Sequence, residues 1–289
     1  MMQKAIELEG VTKKLGNFSL GPLTFSVPTG CIVGYIGENG AGKSTTIKLL
    51  LGLMRPDSGK IKIFGEPVTK NGPVKKEDIA FVFDDLFLPG TMTLQHVRKF
   101  HRYLYKNSWQ DATFQRLIRE FHLPDRKAIE HFSRGMKMQL GLAIALSHGA
   151  KLLLLDEATS GLDPVIRDDV LDLLLDYIQD EEHTAFVSSH ILSDLEKAAD
   201  YIAFLHKGQL LFFECKDDLI EQYGIALIRE EQLRSLDPQA IVGLRRHRFG
   251  VEALVKRNLV PKEWSLDKVS IEDIMVFTIK EDRNESLTV

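Results

Sequence analysis

The segment Gly37-Glu38-Asn39-Gly40-Ala41-Gly42-Lys43-Ser44, followed by Thr45, meets every fixed position of the pattern G-x-x-x-x-G-K-[ST]. Glycines at 37, 40 and 42 admit backbone conformations closed to residues with a Cβ. Consecutive N–H groups can then turn inward on phosphate oxygens at the positive end of a following helix. Lys43 is placed to reach β- and γ-phosphates, and the Ser44 hydroxyl suits Mg²⁺, a hard cation that prefers oxygen ligands and keeps several waters. The whole stretch from Gly37 to Thr45 therefore reads as a cradle for a nucleoside triphosphate.

Further along, Leu152-Leu153-Leu154-Leu155 ends in Asp156-Glu157. A buried parallel strand delivers its last residues to the carboxyl edge of a sheet, where ligands bind in open α/β folds. Asp156 is placed to hold Mg²⁺ or its water and Glu157 to stand beside the γ-phosphate, a division of labour that fits triphosphate hydrolysis. His131-Phe132-Ser133-Arg134-Gly135-Met136 precedes an apolar helical run, so Ser133 and Gly135 sit at a helix start, which can bind anions. Val187-Ser188-Ser189-His190 puts His190 at another sheet edge.

These residues require elements to carry them. Ile32 to Ile36 is an apolar strand before the glycine loop, and Thr45 to Leu51 opens a helix that stops at Gly52. Between Thr91 and Gly149 the signals are helical: Leu94, Val97, Phe100, His101 and Leu104 form one stripe, and Phe114, Leu117, Ile118 and Phe121 another. Ser108 with Asp111 has capping-box spacing. Tyr201 to Leu205 and Leu210 to Glu214 make a hairpin about Lys207-Gly208.

At 289 residues and 44% hydrophobic, the chain can bury a full core in one large and one small domain. Net charge is −4 and the cationic residues are dispersed apart from Arg245-Arg246-His247-Arg248, read as a solvated turn, so no nucleic-acid surface is expected. Cys31 and Cys215 lack metal-binding spacing and read as reduced, buried thiols. The N-terminus carries charges, and no run approaches the roughly 20 apolar residues that span a bilayer.

Phosphate loop, helical insert, Ser-x-Gly helix start, apolar strand with Asp-Glu, Ser160-Gly161-Leu162-Asp163 and Ser188-Ser189-His190 resemble, in content and order, the ATP-binding-cassette (ABC) ATPases. The resemblance implies an α/β fold of P-loop NTPase type. It consists of a RecA-like mixed-sheet core, an N-terminal antiparallel β region and an inserted helical subdomain at about 91–149, all within residues 1–224. Phe132 to Met136 takes the place of the family's signature, with Ser133 and Gly135 retained. It also implies two cassettes head to tail, as homodimer or heterodimer, so that Ser133, Arg134, Gly135 and Met136 serve the partner's ATP and Asp163 lies at the seam. Glu157 would polarise the attacking water and His190 would contact the γ-phosphate.

Three positions depart from the family pattern. Asp84 stands where a glutamine is expected and would hold a magnesium-bound water while adding negative charge. Leu15 falls where an aromatic would stack on adenine; Phe18 either takes that part after a small loop shift or belongs to the core. Ala158 replaces a proline.

The overall likeness is to bacterial subunits that work with separately encoded export permeases, such as those for bacitracin-like peptides. That implies a cytoplasmic protein, peripheral on the inner face of the cell membrane. The alternative is a soluble nucleotide-gated interaction module not coupled to transport. Residues 225–289 are either a small α+β appendage or a dimerisation tail. Ala226 to Arg229, Ala253 to Val255 and Ile274 to Ile279 form alternating patches, and Glu281 to Thr288 a frayed end.

Overall fold

A computed structural model describes residues 3–69, 72–73, 75–83, 86–106, 108–247 and 250–287, with side chains to residue 280. The expected water-binding position Asp84 lies outside the described residues.

β1 (Lys4–Leu15) and β2 (Phe18–Pro28) pair as a long antiparallel hairpin, one face of which buries Ile6, Leu8, Leu20, Leu23 and Val27. β3 (Ile32–Gly37) is buried along its whole length and feeds the glycine loop and α1 (Lys43–Leu50). β4 (Ser58–Ile63) and β5 (Glu66–Pro67) return to extend the first sheet in the order β2-β1-β4-β5. β6 (Ile79–Val82) then leads into the helical region of α2 (Leu94–Tyr105), α3 (Asp111–Glu120) and α4 (Arg134–Leu146).

β7 (Leu152–Asp156), α5 (Pro164–Tyr177), β8 (Thr184–Ser189), α6 (Leu192–Ala198) and the hairpin of β9 (Tyr201–His206) with β10 (Gln209–Cys215) complete a six-stranded sheet. Its order is β10-β9-β3-β8-β7-β6, parallel from β9 to β6, with β10 as an antiparallel edge. Leu152 to Leu155 are all buried, as expected for a strand covered on both faces. One face packs Val33, Tyr35, Leu154 and Phe186 against the antiparallel sheet and α1. The other packs Ile32, Ile36, Leu153 and Leu155 against residues of α4, α5 and α6. The carboxyl ends of β3 and β7 thus open on the same edge, with β8 between them.

The helical region has its own core of Leu94, Val97, Trp109, Phe114, Leu117, Ile118 and Leu140. Its α2 stripe is narrower than the sequence suggested, because Phe100 and Leu104 face solvent. Capping also differs. Thr93 and His96 form the box that starts α2, whereas Asp111 opens α3 with its carboxylate committed to the Arg98 guanidinium and Ser108 Oγ donates to Tyr105 O. An ion pair to the neighbouring helix has displaced the local cap.

The chain continues through α7 (Lys216–Gln222) into β11 (Tyr223–Ile228), α8 (Glu230–Ser235), β12 (Ile241–His247), β13 (Gly250–Lys256) and α9 (Ile271–Leu287). The strands form an antiparallel sheet, β11-β13-β12. Arg245, Arg246 and His247 belong to β12 and pair with Glu252 and Glu230, so they are the end of a strand and not a turn, although Arg246 and His247 are exposed; Arg248 lies outside the described residues. The patch Ile274 to Ile279 is helical: Ile271, Ile274 and Phe277 repeat at helix spacing and join the main core beside Leu195 and Ala198 of α6. The helix runs to Leu287, through the segment expected to fray. Both cysteines are free; Cys31 is buried, its thiol pushed up to about 12 mainly by burial, and Cys215 is only partly buried.

Candidate functional site

The glycine loop owes its shape to two close approaches. A Cβ on Gly37 would stand 2.3 Å from Leu205 O, so only a bare backbone lets the loop leave β3 against β9. Gly42, at φ 112, caps α1, and a Cβ there would meet Leu20 Cδ1 at 2.7 Å and Phe18 Cζ at 3.0 Å. Lys43 is then the first residue of α1 and is buried. Its Nζ donates to Gly37 O at 2.8 Å, lies 3.4 Å from Glu38 O, and pairs with Glu157 Oε1 at 3.2 Å.

Glu157 follows β7 with φ 54, an uncommon conformation for a residue with a side chain. Its N–H donates to Ser188 O at 3.0 Å, which ties this strained turn to β8. The turn aims the carboxylate between two cationic or potentially cationic groups: Lys43 on one oxygen and His190 Nδ1 on the other, at 2.5 Å. Asp156, one residue earlier and buried, faces differently. Its Oδ1 accepts from Ser188 Oγ at 2.6 Å.

A cavity of about 400 Å³ gathers these groups, lined by Asn39, Gly40, Gly42, Lys43, Ser44 and Thr45 together with Phe18, Glu157 and His190. Arg134 and Ser160 of the same chain complete its wall. Gly37, Glu38 and Ala41 lie behind it: the Glu38 carboxylate turns to buried His206, with Oε2 3.2 Å from Nδ1, and Ala41 is buried. Phe18 is half-buried and combines both readings of it, since it lines the cavity while packing on Gly42 and the adjoining core.

Ser133, Gly135, Met136 and Asp163 are outside this cavity. Ser133 caps α4, its Oγ accepting from Met136 N at 3.2 Å, and Asp163 caps α5, accepting from Val165 N and Ile166 N. The two helix starts touch: a Cβ on Gly135 would stand 3.0 Å from Ile166 Cδ1. Ser133 and Asp163 are both exposed there. Sequence reasoning named Ser160 and Ser188 as parts of motifs without a role of their own, and it missed the Glu38–His206 pair and the place of Arg134 in the wall of its own chain's cavity. The signal for Ser188 was its place on β8, two residues before His190, on the edge that faces Asp156.

Among the described residues no cluster of three His, Cys, Asp or Glu side chains could cage a metal ion. The donor set that does exist, a Ser44 hydroxyl and a buried carboxylate with one oxygen already hydrogen-bonded, fits a hard cation completed by water and phosphate.

The family model described as "ABC transporter" matches residues 20–160. The bacitracin transport ATP-binding protein BcrA of Bacillus licheniformis is 37% identical over 217 residues, covering 73% of this chain and 69% of that protein. The Nod factor export ATP-binding protein I of Rhizobium sp. (strain N33) is 33% identical over 253 residues, covering 85% of this chain and 82% of that one. A solved structure of the ATP-binding subunit of an ABC transporter superposes with a TM-score of 0.68 at 30% identity, covering 75% of this chain and 92% of the other. With this fold and this cavity, the chain belongs to the ATP-binding subunits of ABC transporters.

Proposed function

We propose that this ATPase subunit drives export through a permease carried on separate chains, and that the cavity of Lys43, Ser44, Glu157 and His190 is where it binds and splits Mg²⁺·ATP. The observation that supports the site most strongly is the placement of Glu157, in contact with both the phosphate-loop lysine and His190. The phosphates lie along the N–H groups of the glycine loop, and the γ-phosphate competes with Glu157 for Lys43, freeing the carboxylate for water. Ser44 and Asp156 would hold Mg²⁺, which would supply positive charge against the phosphates. Glu157 takes the proton of the attacking water as its oxygen bonds to the γ-phosphorus. The bond to the β-bridging oxygen breaks, giving ADP and phosphate. His190 orients the γ-phosphate, and Phe18 stacks on the base.

Two copies, or this chain and a relative, close head to tail. Ser133, Gly135 and Met136 meet the partner's nucleotide, and Asp163 lies at the seam. The exposure of Ser133 and Asp163 on adjoining helix starts supports that geometry. Among the described residues no helix is long and apolar enough to cross a membrane. An apolar groove lined by Phe81, Phe83, Phe87 and Tyr105 supports a permease partner. Its phenyl rings contact one another at 5.2 and 5.7 Å, and Phe87 is 76% exposed. The relatives' transport roles favour this reading over a gated module uncoupled from transport.

Glu157→Gln should lower magnesium-dependent ATP turnover by roughly a hundredfold or more while the protein still binds ATP in an equilibrium titration. Wild-type turnover by this variant would remove Glu157 from the reaction.

A further inference from the structure

Besides Lys43, the cavity presents a second permanent cation of the same chain, Arg134. It is the first residue of α4, whose opening turn holds no acidic side chain. A cation at the positive end of a helix is mildly disfavoured at an exposed site, and an anion bound close by would relieve it. The guanidinium lies across Gly161: a Cβ at that glycine would stand 2.7 Å from Nη1, 3.2 Å from Cζ and 3.6 Å from Nε. Its head group makes no hydrogen bond or ion pair among the described residues. An exposed, uncommitted, permanently charged fork thus faces the chamber that also contains Lys43, Ser44 and Glu157.

We propose that Arg134 reads the γ-phosphate end of the nucleotide held by its own chain, and so distinguishes triphosphate from diphosphate before any partner arrives. The inference rests on the cavity being the nucleotide site. A planar guanidinium matches phosphate oxygens bidentately, and the γ-phosphate is the group that ATP has and ADP lacks. The same guanidinium lies over Gly161, two residues before Asp163, the cap of α5.

The test is equilibrium binding of ATP and ADP to protein kept below the concentration at which sedimentation detects a dimer. Arg134→Ala should weaken ATP binding about tenfold and ADP binding less than twofold, with Arg134→Lys in between. Unchanged ATP affinity of the monomeric Arg134→Ala protein overturns the proposal. Loss of dimerisation alone would then mark the arginine as acting on the partner's nucleotide, and no change at all would mark a solvated surface arginine. Lys43→Ala, run in parallel, separates this from failure of the site itself. It should weaken both nucleotides, and if it weakens neither, the cavity is not the nucleotide site and the proposal falls with it.

Discussion

Glu157 and His148 illustrate opposite uses of an ionisable side chain. Glu157 is held at φ 54 so that its carboxylate meets Lys43 and His190 at the cavity wall. His148, after α4, is buried with its ring stacked on Tyr105 at 4.3 Å, and burial depresses it from 6.5 to about 4, a backbone contact at Ile79 offsetting part of the effect. The folded protein keeps this ring neutral at pH values where the unfolded chain protonates it. Stability from this group is therefore complete above pH 6.5 and falls as pH drops toward 4, by an amount on the order of 3 kcal/mol. Urea unfolding at pH 7.5, 5.5 and 4.5 should show that decline shrinking in His148→Phe, with the lesser share of His101, also depressed by burial, remaining. Parallel losses in the two proteins would assign the acid sensitivity elsewhere. The residues of the glycine loop and the Asp156-Glu157 pair could be picked out by type and spacing alone. The bonds from Ser188 to Asp156 and from Glu38 to His206 could not, because they join residues distant in the chain and depend on strand alignment.

The helix starts of α4 and α5 carry the least familiar piece of sequence, Phe132-Ser133-Arg134-Gly135-Met136, and their packing explains part of it. A side chain at Gly135 would press on the Ile166 Cδ1 methyl within the chain itself, a side-chain end that must shift to admit it. Ser133 is the better place to test the proposed seam, because aspartate caps a helix as well as serine does. Ser133→Asp should leave α4 and monomeric ATP binding intact while setting a carboxylate against the partner's γ-phosphate. In the Glu157→Gln background with ATP, sedimentation should find dimers with Ser133 and monomers with aspartate. Dimers in both would count against the head-to-tail seam. Helices and strands with strong periodicity were legible in sequence, as β7, β8 and the β9–β10 hairpin show. Asp111 deceived because capping spacing is a local signal, and the tertiary ion pair with Arg98 outweighs it.

Across the molecule, the tail is the portion that sequence described least well. Ile274 to Ile279 reads equally as strand or helix when taken alone, and the choice falls to helix because α9 has both β12 and α6 to cover. Phe277 is 1% exposed in that core, with the Arg245 guanidinium over its ring at 4.9 Å. Phe277→Ala should cost about 3–5 kcal/mol of unfolding free energy, read as a lower urea midpoint. A loss below about 1 kcal/mol would mean that α9 is not docked as described.

The sheet order carries a consequence for how the chain is made. β3, the strand that ends in the phosphate loop, pairs with β8 and β9, which follow it in the chain by about 150 and about 170 residues in register. During synthesis from the N-terminus, the loop has left the ribosome long before either neighbour exists, and Glu157 also precedes the β8 backbone that fixes its turn. A nascent chain stopped before Thr184 therefore contains Lys43, Ser44, Asp156 and Glu157 but lacks β8, the strand that joins β3 to β7 and sets the two carboxylates beside the loop, so the complete nucleotide site forms late in folding.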